Sequence, residues 1–322
     1  MRYLTVNEHQ SLEFAETQIP QILEDECLVR VKTAGINRAD LLQKAGMYPP
    51  PKGESEILGI EAAGEIDKLG DKVSGWQVNQ AVYCLVPGGG YAEYVKVKAK
   101  HLMPLNKNFT FEQGAGIAET YLTAYQSLFL IADLQPNQRV LIHAGASGVG
   151  CAAIQLAKAK GCFVVTTIGS EEKAKACINL GADVAINYRN DDFESWAKQE
   201  KQQFDVILDV VAGGYVGKNI NVAALDAKIV TLAMLGGRFA ENVDIAKMLG
   251  KRITLQASTL RNRRDEYKAN LVEQFQCDFG KLIEKGELVP VVDSVYSWRE
   301  ANAAHDKMAQ NANIGKLVLV ID

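Results

Sequence analysis

Residues 35–51, GINRADLLQKAGMYPPP, combine side chains that can act on a small molecule. Asn37, Arg38 and Asp40 follow an apolar strand pattern, and Tyr48 precedes three prolines. The segment contains no cysteine, histidine or serine, so the residues that most often serve as nucleophiles or metal ligands are missing. Because a phenol both donates and accepts a hydrogen bond, Tyr48 is the strongest candidate for a proton donor or an orienting group.

A second stretch, RVLIHAGASGVGCAAIQLAKAKG, has the form of a phosphate-binding turn. An apolar strand ends at His143, and the glycines Gly145, Gly148 and Gly150 lead into an amphipathic helix. Such glycines let the backbone approach a pyrophosphate, and free N–H groups at the helix start bind the anion. A glycine triplet alone is a weak signal, but the flanking strand and helix supply the expected context. The predicted cofactor-binding residues of this turn are Gly145, Ala146, Ser147, Gly148 and Val149.

The end of the next strand indicates which dinucleotide is bound. A site for NAD usually has Asp or Glu roughly 20 residues beyond the glycines, bonded to the ribose hydroxyl. Here the position holds Gly169 and Ser170, which leave room for a 2′-phosphate and do not repel it. Lys173 and Tyr188 lie where they can reach that phosphate, although a solvated helix residue and a strand-end aromatic would look the same. The sequence therefore predicts NADPH as the cofactor.

Composition narrows the class of protein. Of 322 residues, 48% are hydrophobic and 23% are charged, and the net charge is −4. No long basic run indicates a nucleic-acid partner, no signal peptide is recognisable, and no stretch approaches the roughly 20 apolar residues of a membrane span. The six cysteines form no CxxC pair. This pattern predicts reduced, mostly buried thiols in a cytoplasmic protein.

The elements that must position these stretches fall into two groups. The first third alternates apolar and polar residues, as in a small barrel or open sheet that is not parallel. A helical pattern covers FEQGAGIAETYLTAYQSLFLIADL, and from residue 139 six apolar strands alternate with helices, which is typical of a doubly wound parallel sheet. The last strand, RITLQAS, would be an edge strand. Since apolar edges often pair across a two-fold axis, we expect a homodimer.

Several motifs, taken in order, resemble the zinc-free quinone oxidoreductases of the medium-chain dehydrogenase/reductase superfamily. They are GINRADLLQKAGMYPPP, LGIEAAGEI, PGGGYAEYV, LIHAGASGVGCAAIQLAK, LGADVAINY, FDVILDVVAG and NIGKLVL. The first and fourth are most similar to the branch of zeta-crystallin and the tumour-suppressor-inducible quinone oxidoreductase. The resemblance implies an α/β protein with a GroES-like, β-rich catalytic domain at 1–121. It further implies a Rossmann NADP-binding domain with a doubly wound parallel sheet at 122–263, and a C-terminal return to the catalytic domain at 264–322.

The resemblance also implies that no metal is bound. The zinc-dependent alcohol dehydrogenases of this superfamily have a cysteine ligand where this chain has Asn37, and a histidine ligand where it has Ile60. The region of their third ligand, here AGIAETYLT, has no cysteine, and the four-cysteine lobe is missing. Zinc needs three or four converging ligands, so we expect none here.

What the resemblance implies instead is metal-free reduction of a quinone by NADPH, through hydride or single-electron transfer. A quinone is already electrophilic, so the protein mainly orients it in a dry site. Asn37 could bond a carbonyl oxygen, and Asp40 is expected to hold the loop or a water. Tyr48 either supplies a proton, as a tyrosine does in similar enoyl-thioester reductases, or contacts the nicotinamide ribose. By position in similar proteins, the nicotinamide pocket would also involve Thr123, Met234, Leu235, Ser258, Leu260 and Lys316.

Two alternatives use the same residues. An NADPH-dependent enoyl or 2-alkenal reductase would share the fold and cofactor but protonate carbon. A non-catalytic NADPH-binding protein would keep the turn without turnover. Three further polar residues have ordinary structural interpretations: Glu61 as a strand anchor, Asp209 as a loop cap and His143 as a hydrogen-bonded core histidine.

Overall fold

The computed structural model describes all 322 residues, which form fifteen strands and ten α-helices. The strands are β1 (Arg2–Val6), β2 (Leu12–Glu16), β3 (Glu26–Ile36), β4 (Glu61–Leu69), β5 (Ala81–Leu85), β6 (Tyr94–Lys98), β7 (Leu102–Pro104), β8 (Arg139–Ile142), β9 (Phe163–Ile168), β10 (Val184–Asn187), β11 (Phe204–Asp209), β12 (Ala223–Thr231), β13 (Thr254–Ala257), β14 (Val292–Ser297) and β15 (Lys316–Val320).

Most of the helices lie in the second half of the chain. They are α1 (Arg38–Lys44), α2 (Phe111–Gly114), α3 (Ala118–Tyr125), α4 (Gly148–Ala159), α5 (Glu171–Asn179), α6 (Phe193–Gln199), α7 (Tyr215–Val222), α8 (Ile245–Lys251), α9 (Asp265–Glu284) and α10 (Ala301–Ala309). A π-helical segment, Gln126–Ile131, continues α3. None of these helices combines the length and apolarity that a bilayer crossing requires.

Two compact units divide the chain. Met1–Leu122 together with Leu260–Asp322 form unit 1, and Thr123–Thr259 form unit 2. In unit 1 a seven-stranded sheet has the order β14-β15-β3-β4-β5-β7, with β6 also paired to β3. All its pairs are antiparallel except β14 with β15. The long strand β3 lies at the centre of this sheet and ends at Ile36, directly before Asn37, so the sheet fixes where the polar segment begins.

Unit 2 contains a six-stranded sheet in which every pair is parallel, in the order β10-β9-β8-β11-β12-β13. Renumbered within the sheet this is 3-2-1-4-5-6, the Rossmann order, so the predicted doubly wound sheet is confirmed. The strand order reverses at β8: β9 and β10 follow on one side of it, and β11, β12 and β13 follow on the other. Dinucleotides bind beyond the carboxyl ends of the strands at such a point. β13, from the RITLQAS segment, lies at the sheet edge as predicted.

Local pattern failed in three places. The single helix expected after Thr110 is broken at Ala115–Ile117 into α2 and α3, because the backbone N–H of Glu119 at the start of α3 is capped by the Glu61 carboxylate, 2.8 Å away. The polar segment predicted as a loop contains α1. The segment GYVGKNINVAAL, which the alternation of strands and helices predicts as a helix, is helical only up to Val222, and β12 begins at Ala223. The cysteine prediction fares better: all six are free and five are buried, with Cys277 exposed.

Candidate functional site

Asp40 holds the polar segment in place rather than facing solvent. It is fully buried, and its carboxylate accepts hydrogen bonds from the backbone N–H of Asn37 (2.8 Å) and of Gly59 (3.1 Å) and from the Tyr91 hydroxyl (3.2 Å). Burial raises the pKa of Asp40 to about 6, against these bonds and the positive charge of Lys316. The contacts fit the expected loop-holding role.

Lys316, Glu61 and Asn37 form a buried group that we call the Lys316 cluster. The Lys316 ammonium donates to Glu61 Oε1 (2.7 Å), to Asn37 Oδ1 (2.7 Å) and to the Ile36 carbonyl (2.6 Å). Asn37 Nδ2 donates to the same Glu61 oxygen at 2.9 Å. Gly35 makes room for this cluster, since a Cβ there would lie 2.4 Å from Glu61 Oε1. Three oxygens thus converge on one ammonium nitrogen.

This arrangement changes what Asn37 can do. Its amide donates to Glu61 and, more weakly, to the Gly35 carbonyl at 3.3 Å, and its oxygen accepts from Lys316. The expected bond to an acceptor carbonyl would therefore require an existing bond to break, whereas a positioning role needs no change. Ile60 belongs to the buried core, and no three His, Cys, Asp or Glu side chains converge where they could hold a metal ion.

Tyr48 has a different environment. Its ring is half-buried with the Arg261 guanidinium 5.5 Å from the ring centroid, and its hydroxyl has no hydrogen bond to another residue. Burial raises the pKa of Tyr48, the charge of Glu119 raises it further, and Arg261 lowers it. Arg261 was not singled out in the sequence. It is buried and donates to Pro87 O and Gln43 Oε1, both at 2.7 Å, so it fastens the Tyr48 segment to its surroundings.

The glycine turn of unit 2 has the close packing that a pyrophosphate cradle requires. A Cβ on Gly145 would lie 1.9 Å from Thr166 Oγ1, and one on Gly150 would lie 2.4 Å from the Ala144 carbonyl. Ala144 itself has φ of 54°. Ser147 caps α4 by accepting from the Gly150 N–H at 3.0 Å. The first N–H groups of this twelve-residue helix have no partner within the helix, so the residues present fit a dinucleotide phosphate.

A relay of hydrogen bonds between buried side chains supports the glycine turn. Asp209 accepts from Asn219 Nδ2 (3.0 Å), and Asn219 Oδ1 lies 2.8 Å from His143 Nε2. Since an amide oxygen only accepts, His143 carries its proton on Nε2. His143 Nδ1 then accepts from Thr167 Oγ1 (3.1 Å), which itself accepts from the Ala144 N–H (3.3 Å). Burial lowers the pKa of His143. The structural interpretations of His143 and Asp209 hold: Asp209 also caps the backbone N–H groups of residues 211 and 212.

Tyr188 packs against Gly169 at the end of β9. Its hydroxyl would lie 2.4 Å from a Cβ on Gly169, so glycine is needed there for packing as well as for space. Ser170 accepts from the Lys173 N–H at 3.3 Å and caps α5. Glu171, in the first turn of that helix, accepts from Asn187 at 3.0 Å. Gly169, Ser170, Lys173 and Tyr188 therefore lie together at one strand end.

The remaining predicted cofactor residues are divided between the two units. Ser258 is buried in unit 2 and accepts from Gln126 Nε2 at 2.9 Å. Thr123 is buried, and Leu260 is buried in unit 1. Met234 and Leu235 are 61% and 55% exposed. The structure thus places the turn residues and the β9-end residues in unit 2 and the Lys316 cluster in unit 1.

Comparison with known proteins identifies the family. The model of the alcohol dehydrogenase GroES-like domain matches residues 23–107, and that of the zinc-binding dehydrogenases matches residues 148–276. The chain is 29% identical over 317 residues to the synaptic vesicle membrane protein VAT-1 homolog of Danio rerio, covering 94% of this chain and 66% of that protein. It is 27% identical over 316 residues to the quinone oxidoreductase of Mus musculus, covering 95% and 92%.

Solved structures match over the full length. An NAD-dependent alcohol dehydrogenase has 27% identity and a TM-score of 0.87, covering 100% of both chains. The CurK enoyl reductase has 25% identity and a TM-score of 0.88, covering 100% of this chain and 99% of that one. The Escherichia coli quinone oxidoreductase in complex with NADPH has 25% identity and a TM-score of 0.86, covering 99% of each. With a GroES-like domain, a Rossmann-type parallel sheet and relatives of this kind, the chain is an oxidoreductase of the medium-chain dehydrogenase/reductase superfamily.

Proposed function

We propose that the protein is an NADPH-dependent quinone reductase that works without a metal ion. The observation that carries this proposal is the contrast between Tyr48 and its neighbours. The polar atoms of Asn37 and Asp40 are hydrogen-bonded to other residues of the chain, whereas the Tyr48 hydroxyl has no such bond and can bond an acceptor. An acceptor that needs little activation suits such a site. The quinone oxidoreductases among the relatives support a quinone as the acceptor. Asn37 stands where the zinc-dependent enzymes have a zinc ligand, and its oxygen accepts a hydrogen bond from the Lys316 ammonium. This contact supports zinc independence.

The preference for NADPH rests on the end of β9. Gly169 and Ser170 present no carboxylate, and Lys173 lies in the first turn of the helix that follows. A phosphate at this position would gain a charge-assisted hydrogen bond from an ammonium. Relatives bind either form, since one solved structure is described as NAD-dependent and another contains NADPH. When bound, NADPH supplies the hydride or single electron, and residues of the chain orient the acceptor and move the proton.

Tyr48 is the residue we propose to act on the acceptor. Its phenol either donates a proton to the reduced acceptor or orients it by a hydrogen bond, and Arg261 fixes the ring and stabilises a phenolate as the proton leaves. Asn37, Asp40 and Lys316 are proposed as positioning residues.

An enoyl or 2-alkenal reductase is the second candidate, favoured by the similarity to the CurK enoyl reductase. In that reaction Tyr48 would protonate carbon. A non-catalytic NADPH-binding protein is the third. We also propose that the chain works in the cytoplasm, where its free cysteines stay reduced, and as a homodimer.

Steady-state oxidation of NADPH and NADH against matched quinones and enals separates these candidates. We expect quinones to be reduced, with a lower KM for NADPH than for NADH. In Tyr48→Phe, enal reduction should fall by about 10²–10⁴-fold, while quinone reduction should fall less because water can protonate a hydroquinone oxygen. Tyr94→Phe, on β6 of the same unit, is the control. If none of the acceptors oxidises NADPH, only the third candidate, a non-catalytic NADPH-binding protein, remains.

A further inference from the structure

Two carboxylates follow the end of β9, the strand end at which the ribose of a dinucleotide binds. Glu171 and Glu172 occupy the first turn of α5, immediately after Ser170. In an NAD site a carboxylate at this strand end, roughly 20 residues beyond the glycines, bonds the ribose 2′-hydroxyl. Close to the 2′-phosphate of NADPH the same charge is repulsive. A protein that prefers NADPH therefore has to control where such a carboxylate is held.

Asn187, the last residue of β10, binds one of the two carboxylates. Its side-chain Nδ2 donates a hydrogen bond to Glu171 Oε1 at 3.0 Å. Its Oδ1 accepts a hydrogen bond from the backbone N–H of Arg189 at 3.2 Å. Because an amide oxygen only accepts and an amide nitrogen only donates, exchanging the two ends of the side chain would break both bonds. The turn at Arg189 therefore orients the amide so that its NH2 group faces Glu171.

The place of β10 in the sheet decides where the Glu171 carboxylate lies. The strands run in the order β10-β9-β8, and the glycine turn follows β8. The bond to Asn187 fastens the carboxylate to the edge strand β10, two places from the glycine turn, whereas the ribose binds at the end of β9, one place from it. At the end of β9 the neighbour of Gly169 is the neutral Tyr188 hydroxyl.

We propose that Asn187 is a positioning residue that sets the cofactor preference by fastening the Glu171 carboxylate to β10. Held there, the carboxylate neither bonds the ribose of NADH nor approaches the 2′-phosphate of NADPH. Without the Asn187 amide the Glu171 side chain is free to change rotamer, and its charge reaches the end of β9. This inference rests on the proposed function and adds a determinant of its preference for NADPH.

The test measures the dissociation constants of NADPH and NADH by fluorescence titration in the native protein, Asn187→Ala, Glu171→Gln and the double variant. We expect Asn187→Ala to lower the preference for NADPH by about threefold to tenfold, the size of a screened repulsion between a carboxylate and a phosphate. Glu171→Gln alone should change the preference by less than about twofold, because the native carboxylate is already held aside. In the double variant it should restore the native preference.

Restoration by Glu171→Gln separates this role from a merely structural one, because a turn disturbed by the loss of Asn187 would stay disturbed in the double variant. Glu172→Gln removes the neighbouring carboxylate of the same turn and is the control, which should not restore the preference in Asn187→Ala. An unchanged preference in Asn187→Ala would overturn the proposal. So would a gain of NADPH preference in Glu171→Gln alone that equals its gain in the Asn187→Ala background.

The outcome for the proposed function is read separately. The titration uses no acceptor, so it does not depend on whether quinones or enals are reduced. A native protein that binds NADH as tightly as NADPH would contradict the proposed cofactor, while the differences between the variants would still decide the role of Asn187.

Discussion

At the scale of single residues, the hydrogen bonds of the Lys316 cluster hold its polar side chains in one fixed arrangement. Glu61 uses one oxygen for Lys316 and Asn37 and the other for the first turn of α3. The strand-anchor interpretation of Glu61 was therefore correct but incomplete, since the residue also joins β4 to β15 and to the polar segment. A buried ion pair of this kind contributes little relative to an apolar replacement, but losing one partner leaves an uncompensated charge.

Lys316→Met should consequently destabilise the protein by about 3–5 kcal/mol, because the Glu61 carboxylate stays buried without its cation. The double variant Glu61→Gln with Lys316→Met should recover part of that loss. Urea denaturation followed by circular dichroism measures both, with Lys68→Met, an exposed lysine on β4, as the control. A loss in Lys316→Met no larger than in the control would contradict the role given to the cluster.

At the scale of elements, the glycine turn depends on packing between β8, β9 and α4. Thr166 on β9 donates to the Ile142 carbonyl at 2.7 Å, so its side chain cannot easily move away from Gly145. The relay through His143 and Thr167 holds the neighbouring Ala144 in its left-handed conformation. The turn is therefore shaped by its supports as much as by its own glycines.

Gly145→Ala should weaken NADPH binding by more than about tenfold, since the new Cβ forces the turn away from Thr166 and misplaces the N–H groups that bind phosphate. Fluorescence titration of NADPH gives the dissociation constant without requiring turnover. Gly214→Ala is the matched control, because a Cβ at Gly214 would meet nothing within 4 Å. A folded Gly145→Ala protein with native affinity would show that this turn does not hold the cofactor.

At the scale of the whole molecule, the edge of the unit 2 sheet remains uncovered. All four residues of β13 are exposed, and Leu255 within it is 40% exposed. A parallel sheet is usually covered on both faces, and a free edge with apolar residues invites pairing with another strand. A second copy of the chain, related by a two-fold axis, would supply that strand.

We expect sedimentation equilibrium to show a homodimer at micromolar concentration, and Leu255→Lys to shift it to monomer by placing a charge in the strand pairing. Ile178→Lys, an exposed apolar position on α5, should leave the dimer unchanged. A native protein that sediments as a monomer would rule out this assembly, and a dimer insensitive to Leu255→Lys would place the interface elsewhere.

The sequence by itself determined the class and order of elements and the glycine turn, because these depend on residues adjacent in the chain. Apolar runs interrupted at regular intervals predict parallel strands, and Gly145, Gly148 and Gly150 lie within six residues of one another. Local pattern was weaker where helices and strands meet, as at Ala223, because a short apolar run suits either element.

Only the tertiary structure decided what the polar side chains bond to. Asn37 and Lys316 are 279 residues apart in sequence, and nothing near Asn37 indicates that its amide is occupied. Likewise, Arg261 and Lys268 resemble ordinary surface cations until folding buries them. Hydrogen bonds and charges act through space over a few ångströms, so their partners are fixed by the packing of distant segments and not by the residues beside them.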